Sequence, residues 1–127
     1  MRIGRIATIA FVALVLVLPV FAADATGKWK TEFDSPVGVQ KYTFDLKVVG
    51  DKLTGTASFE RMGETGQAEL KEGKVSGEEV SFVELMNIQG SEIRIEYTGK
   101  VTADEIKMVR KVGDFGTEEF VAKRVKN

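Results

Sequence analysis

Apolar and polar side chains alternate with a period of two residues along much of this chain, and this pattern restricts the possible folds more than any other feature. The stretch 41–48 alternates strictly, and the stretch 93–98 repeats the pattern. Each such strand has one dry face and one wet face, which is typical of antiparallel rather than parallel sheets. Eight strands are predicted, near residues 27–33, 40–49, 52–60, 66–76, 79–86, 91–102, 105–112 and 116–125.

The predicted connections alternate between tight and long. Three are two-residue hairpin turns, at Gly50-Asp51, Gly77-Glu78 and Ala103-Asp104, although Ala103 fits this turn poorly and leaves a longer turn open. The longer connections are residues 34–39, 61–65, 87–90 and 113–115. Alternate connections of an up-and-down meander lie at opposite ends, so the long loops are expected at one mouth. The prediction is an all-β, eight-stranded antiparallel up-and-down barrel, with a two-sheet β-sandwich as the alternative.

Counting back from the tight turns places a large inward residue opposite a glycine in each hairpin, as a curved barrel requires. The predicted pairs are Leu46 with Gly55, Phe82 with Gly73, and Met108 with Gly99. The inward parity slips between Leu70 and Val75, and Gly73 is the candidate for the β-bulge that absorbs this slip.

The N-terminus predicts export. Two arginines precede the apolar run 6–18, and Pro19 precedes small residues, which is the order of a secretory signal peptide. We expect cleavage after Ala22, with Ala25 as the alternative, so that 1–22 is the signal peptide and 23–127 a single domain. An uncleaved anchor is disfavoured because the apolar run is shorter than the roughly 20 residues a bilayer needs. The expected location is therefore secreted or periplasmic, with no stable membrane anchor after processing.

Composition restricts the function. Without the two arginines of the signal peptide, 16 Lys and Arg face 19 Asp and Glu, and this acidic balance argues against nucleic acid as a partner. The chain contains neither cysteine nor histidine, which excludes Ser-His and Cys-His catalysis and His/Cys zinc sites. Adjacent carboxylates on a strand point to opposite faces and cannot act on one atom. We expect no catalytic residues, no enzyme activity, no metal and no cofactor.

The candidate site lies at the predicted long-loop mouth. Glu84, Arg110 and Glu118 have inward parity near that mouth, where they could form a charged ring that orients a ligand. The alternative is an internal ion pair without a ligand. The apolar residues assigned to this mouth are Val37, Val39, Met62, Met86, Ile88 and Phe115. They either mark an interaction site or fold inward and plug the barrel.

Three short motifs carry a family resemblance: Gly27-Lys28-Trp29 at the first strand, 53–56 (Leu-Thr-Gly-Thr) after a tight turn, and 120–124 (Phe-Val-Ala-Lys-Arg) at the end. Together they resemble the avidin/streptavidin family and, more broadly, the calycin barrels that include lipocalins. The resemblance implies that Arg124 packs over Trp29 at the closed end. Avidins line their biotin pocket with several tryptophans, and this chain has one, so biotin binding is not carried over.

Two functions are therefore expected of the barrel. The first is a binding module that holds a small, partly apolar, amphiphilic ligand at the long-loop mouth, with Glu84, Arg110, Glu118, Met62, Met86, Ile88 and Phe115 as its contacts. The second is a protein-interaction module, such as a secreted inhibitor or an adhesion-type domain, that uses the same loops. An empty interior favours the first function, and a filled interior with protruding loops favours the second.

Overall fold

The computed structural model describes residues 24–126 and confirms the closed antiparallel barrel. The signal-peptide prediction falls outside these residues. The strands are β1 (Gly27–Ser35), β2 (Gly38–Val49), β3 (Lys52–Arg61), β4 (Glu64–Glu69), β5 (Lys71–Ser76), β6 (Glu79–Ile88), β7 (Ser91–Val101), β8 (Glu105–Val112) and β9 (Gly116–Arg124). Each strand pairs with its neighbours in sequence, except that β5 pairs with β3 and β6, and β1 closes the barrel against β9. Within residues 24–126, no helix is long and apolar enough to cross a membrane.

The ninth strand arises because the predicted strand 66–76 is divided at Leu70, whose amide donates to the Gly55 carbonyl at 2.9 Å. The register then shifts between Lys71 and Lys74, so that Glu72 and Gly73 together lie opposite Phe82. This is the predicted bulge. A Cβ at Gly73 would lie 1.9 Å from the Leu53 carbonyl oxygen, so the close approach of two strands requires glycine here.

The predicted long loops are wrong, because both ends of the barrel carry short turns. The connection 34–39 is a two-residue turn, since Ser35 pairs with Gly38. Met62-Gly63 and Gln89-Gly90 are also two-residue turns, with φ of 51° and 74° in the first and 50° and 83° in the second. Two central residues with positive φ define the type I′ turn, which matches the twist of paired strands. Neither Met nor Gln is a usual first residue of such a turn, so the sequence did not indicate them.

We call the end that carries the β1–β2, β3–β4, β6–β7 and β8–β9 turns the upper rim, and the opposite end the lower end. At the lower end the Gly50-Asp51 and Gly77-Glu78 turns are two residues long, as predicted. The third turn is longer, because β7 ends at Val101 and β8 begins at Glu105. Predicted pairs Leu46–Gly55 and Gly99–Met108 are both present.

Inward side chains fill the barrel from the lower end to the middle. The largest fully buried apolar ones are Trp29, Phe44, Leu46, Phe82, Ile95, Ile106 and Met108. Phe82 stacks on Tyr97 with ring centroids 4.9 Å apart, and Phe44 packs against both rings. Because this packing fills the lower end and the middle of the barrel, the candidate binding site is sought among the polar inward residues at the upper rim.

Candidate binding site at the upper rim

Glu84, Arg110 and Glu118 all face the interior, in the orientation that strand parity predicts. Glu84 is fully buried, Arg110 is 4% exposed, and the Glu118 side chain is partly exposed. Arg110 Nε donates to Glu118 Oε1 at 2.8 Å, because Arg110 and Glu118 are direct cross-strand partners on β8 and β9. The three residues belong to one buried polar network rather than to an open ring.

Three further residues complete this network: Tyr42, Arg61 and Tyr97. Arg61 Nη1 donates to Glu84 Oε2 at 2.9 Å, and the Tyr97 hydroxyl donates to Glu84 Oε1 at 2.8 Å. Arg61 Nη1 also donates to the Tyr42 hydroxyl. Arg61 belongs to the predicted connection 61–65 but lies at the end of β3, where its parity with Ala57 indicates an inward side chain.

Arg110 joins the two tyrosines to the glutamate on β9. Its Nη1 donates to the Tyr97 hydroxyl at 3.2 Å and to the Tyr42 hydroxyl at 3.3 Å. Two arginines therefore balance two glutamates, Glu84 and Glu118, inside the barrel. A buried charge is costly unless it is paired and hydrogen-bonded, and this network meets both conditions for Glu84.

Aromatic rings support both arginines. The Arg61 guanidinium carbon lies 3.6 Å from the centroid of Phe59, and that of Arg110 lies 4.7 Å from the centroid of Phe33. Phe33 in turn stacks on Phe120 with centroids 4.3 Å apart. Cation–π contacts of this kind hold planar guanidinium groups in a fixed orientation.

Burial governs the titration of the tyrosines. Burial, followed by the charge of Glu84, raises the pKa of Tyr97 well above its usual value of 10.0 and raises the pKa of Tyr42 in the same direction. Burial by itself lowers the pKa of Arg110. The nearby oxygens of Tyr97, Tyr42 and Glu118 together outweigh this effect, so the pKa of Arg110 is raised. At neutral pH the network therefore contains neutral phenols and charged guanidinium groups.

These shifts predict a loss of stability in alkali. A tyrosine whose pKa is higher in the folded protein stabilises the fold fully below its unfolded pKa, near 10. Above that pH the unfolded chain releases protons more readily, so the free energy of unfolding should fall until the folded pKa is reached. Urea unfolding between pH 8 and 11 on the wild type and on Tyr97→Phe measures this effect. A slope that is the same in both proteins would contradict the assignment to Tyr97.

Two acceptors at this end have no hydrogen-bond partner among the described residues: Gln40 Oε1 and Glu118 Oε2. Gln40 is 2% exposed, and its Nε2 donates to Ser35 Oγ at 3.3 Å. An unpartnered buried acceptor costs free energy, so native proteins leave few of them. Gln40 was not among the predicted site residues, although it has the inward parity of Tyr42 on the same strand.

The apolar residues predicted at this end divide into two groups. Val37, Val39, Met62 and Phe115 are exposed by 61%, 46%, 51% and 81%. Met86 is buried in the core and Ile88 packs partly buried against it, because both belong to β6 and not to a loop. The predicted connection 87–90 is therefore wrong for Ile88, whereas Met86 lies in a strand as the predicted range 79–86 has it.

Two concavities lie on the outside of the barrel. One has a volume of about 700 Å³ on the outer faces of β9 and β1–β4, where Lys30, Lys41 and Lys123 line it. The other has a volume of about 620 Å³ on the outer faces of β5–β8, with Lys74 and Lys100 in its lining. Neither lies along the barrel axis, which side chains occupy. The described residues contain no group of three or more His, Cys, Asp or Glu that could hold a metal ion.

The lower end is closed by Trp29 and Arg124, in the arrangement that the resemblance implies. The Arg124 guanidinium carbon lies 4.2 Å from the Trp29 ring centroid, and the two residues are cross-strand partners. Arg124 also donates to three main-chain carbonyls, those of Asp24, Thr26 and Ala103, at 2.7–3.0 Å. Gly27, two positions before the tryptophan, has a φ of 135°, a conformation that favours glycine, and a Cβ there would also lie 2.9 Å from Arg124 Nη1.

No family model matches the chain, and comparison with curated proteins and with solved structures also returns no match. The resemblance to the avidin and lipocalin barrels thus stays a prediction. The class that the structure defines is a closed eight-stranded antiparallel β-barrel with one additional short strand.

Proposed function

We propose that this protein is a secreted or periplasmic protein-interaction module that docks a partner protein on its upper rim. The observation that carries the proposal is the set of four exposed apolar side chains Val37, Val39, Met62 and Phe115. Exposed apolar patches on a small protein commonly mark an interaction site.

The exposed residues lie on neighbouring turns. In the closed barrel the β8–β9 turn with Phe115 lies beside the β1–β2 turn with Val37, and the β3–β4 turn with Met62 follows. Val39 is the second residue of β2, just after the β1–β2 turn. The four side chains therefore form an arc along one side of the rim, which we call the apolar arc. Rigid two- and three-residue turns present this arc with little conformational freedom to lose on binding.

A small ligand inside the barrel is less well supported. The inward charges are paired with one another, and the core residues extend from Trp29 to the level of Glu84. Small-molecule sites are usually concave pockets that enclose most of the ligand. The concavities found lie on the outer surface and away from the predicted contacts Glu84 and Arg110.

The test has two stages: the partner protein is identified first, and its affinity is measured second. The exported protein is immobilised, proteins retained from the same compartment are identified by mass spectrometry, and each candidate is purified for calorimetry. Phe115→Ser should weaken binding of the true partner by about tenfold or more, because a large aromatic anchor at an interface contributes about 2 kcal/mol or more.

The control is Val49→Ser, which changes an apolar side chain that is 66% exposed at the opposite end of the barrel. This variant should bind the partner as the wild type does. Equal weakening by both substitutions, or by neither, would contradict docking on the apolar arc.

A further inference from the structure

The upper rim is acidic on its outer side. We count the four residues nearest the rim on each of the eight strands that reach it, which leaves out β5, together with the turns between them. The exposed carboxylates there are Glu32, Asp34, Glu60, Glu64, Glu92, Asp114 and Glu119, and the exposed cations are Lys41, Arg94 and Lys111. Seven carboxylates against three cations give a net charge of −4 at the rim. The other described ionisable residues, 13 basic and 12 acidic, are nearly balanced.

The unpartnered acceptors lie at the same end. Gln40 is opposite Phe33 on β1 and opposite Arg61 on β3. Arg110 covers the Phe33 ring and donates to Glu118, so that Gln40 and Glu118 flank one arginine–aromatic pair. Both Gln40 Oε1 and Glu118 Oε2 are acceptors and need a donor.

The seam between β1 and β9, beside Glu118, has few backbone pairs. Between β1 and β9 the backbone pairs found are Trp29–Arg124 and Lys30–Lys123, both near the lower end. Above them, the Thr31 hydroxyl donates to the Val121 carbonyl at 2.8 Å. No backbone pair joins the upper parts of these two strands in the part of the chain that the structure describes. A side chain that enters from the rim therefore meets a seam without a continuous hydrogen-bond ladder.

We infer that the rim takes a basic side chain, arginine or lysine, from a partner protein, with Gln40 Oε1 and Glu118 Oε2 as its acceptors. A guanidinium or ammonium group carries several donors and no acceptor, which suits two free acceptors. The acidic rim attracts such a group at long range, and the apolar arc contacts the partner surface around it. An anionic group would meet the same acceptors and the same negative rim, and is disfavoured. This inference rests on the proposed function and names the chemistry of the partner.

The test uses defined peptides and NMR of the isotope-labelled protein. Three probes share one frame, acetyl-Leu-X-Leu-amide, with X as arginine, citrulline or glutamate. The arginine peptide should shift the Gln40 side-chain amide and the Phe115 backbone amide, and should bind about tenfold or more tightly than the citrulline peptide, as one charge-assisted hydrogen bond predicts. Raising the salt concentration to about 0.5 M should weaken binding of the arginine peptide, because exposed charges are then screened.

Gln40→Met separates binding from folding. It removes the unpartnered acceptor at similar volume, together with the donor to Ser35 Oγ, so the melting temperature should change little while the arginine peptide binds more weakly. Gln67→Met, which changes an exposed glutamine on β4, should leave the melting temperature and the affinity for the arginine peptide unchanged.

The outcomes distinguish this inference from the proposed function. Equal binding of all three peptides, or an unchanged affinity of Gln40→Met for the arginine peptide, would overturn the basic subsite. Absence of any shift at the rim with several millimolar arginine peptide would overturn it as well. In each case the proposed docking on the apolar arc is still decided separately by the Phe115→Ser and Val49→Ser measurements.

Discussion

Glu84→Gln should lower the free energy of unfolding by about 3–5 kcal/mol, as expected when one partner of a buried ion pair is removed. The substitution keeps the shape of the side chain and removes its charge. Arg61, whose side chain is 10% exposed, then loses the carboxylate that it contacts at 2.9 Å. Small domains are stable by about 5–15 kcal/mol, so this variant should lie close to the limit of folding. Urea unfolding followed by tyrosine and tryptophan fluorescence measures the loss.

The matched control is Glu72→Gln, which removes a carboxylate from an exposed ion pair with Arg94. Exposed ion pairs contribute little to stability, so this variant should unfold almost as the wild type does. A double-mutant cycle with Arg61→Met isolates the coupling between Arg61 and Glu84. An unfolding midpoint unchanged by Glu84→Gln would show that the network does not stabilise the barrel.

Trp29→Ala should be as damaging, at about 3–5 kcal/mol, because it removes the largest fully buried side chain from the lower end. Three interactions are lost together. The ring leaves the core, its Nε1 no longer donates to the Ala25 carbonyl at 2.8 Å, and Arg124 loses the ring on which it lies. Since Arg124 also holds the carbonyls of Asp24 and Thr26, we expect the segment before β1 to loosen.

Hydrogen exchange distinguishes these losses. Trp29→Phe keeps an aromatic ring but not the indole donor, so the loss of stability should be smaller than in Trp29→Ala. Amide exchange at residues 24–26 should still increase. Arg124→Lys should also increase amide exchange there, because lysine cannot reproduce the planar guanidinium group that reaches several carbonyls. Unchanged exchange near Thr26 in all three variants would contradict this account of the closed end.

The period-two pattern was sufficient to predict the barrel and most of its register. Inward parity placed Glu84, Arg110 and Glu118 inside, because a strand has only two faces and one of them is buried. The bulge at Gly73 was also predictable, since a parity slip in a paired strand requires an extra residue. Local rules were enough wherever the alternation was unbroken.

The turns of the upper rim were not predictable in the same way. Met62-Gly63 and Gln89-Gly90 adopt a turn that asparagine or aspartate usually begins, and the flanking strands impose it on Met62 and Gln89. The predicted connection 87–90 included Ile88 for this reason. The charge balance inside was hidden as well, because whether Glu84 meets Arg61 depends on a contact between β3 and β6, which are not adjacent in sequence. The unpartnered oxygen of Gln40 likewise appears only when all its neighbours are placed.

These observations connect the interior to the rim. The Arg61, Glu84, Arg110 and Glu118 network holds the upper strands together with balanced charge, and the short turns then present the apolar arc in a fixed position. A rigid rim of this kind is suited to a partner that supplies the complementary charge and apolar surface.

Site-specific photo-crosslinking in the producing cell tests docking on the apolar arc most directly. Benzoylphenylalanine replaces Phe115 in one variant and Val49, at the opposite end, in another. Docking on the apolar arc predicts a single dominant cross-linked protein from position 115 and none of it from position 49. Cross-links to the same protein from both positions, or from neither, would contradict a partner-binding surface at the upper rim.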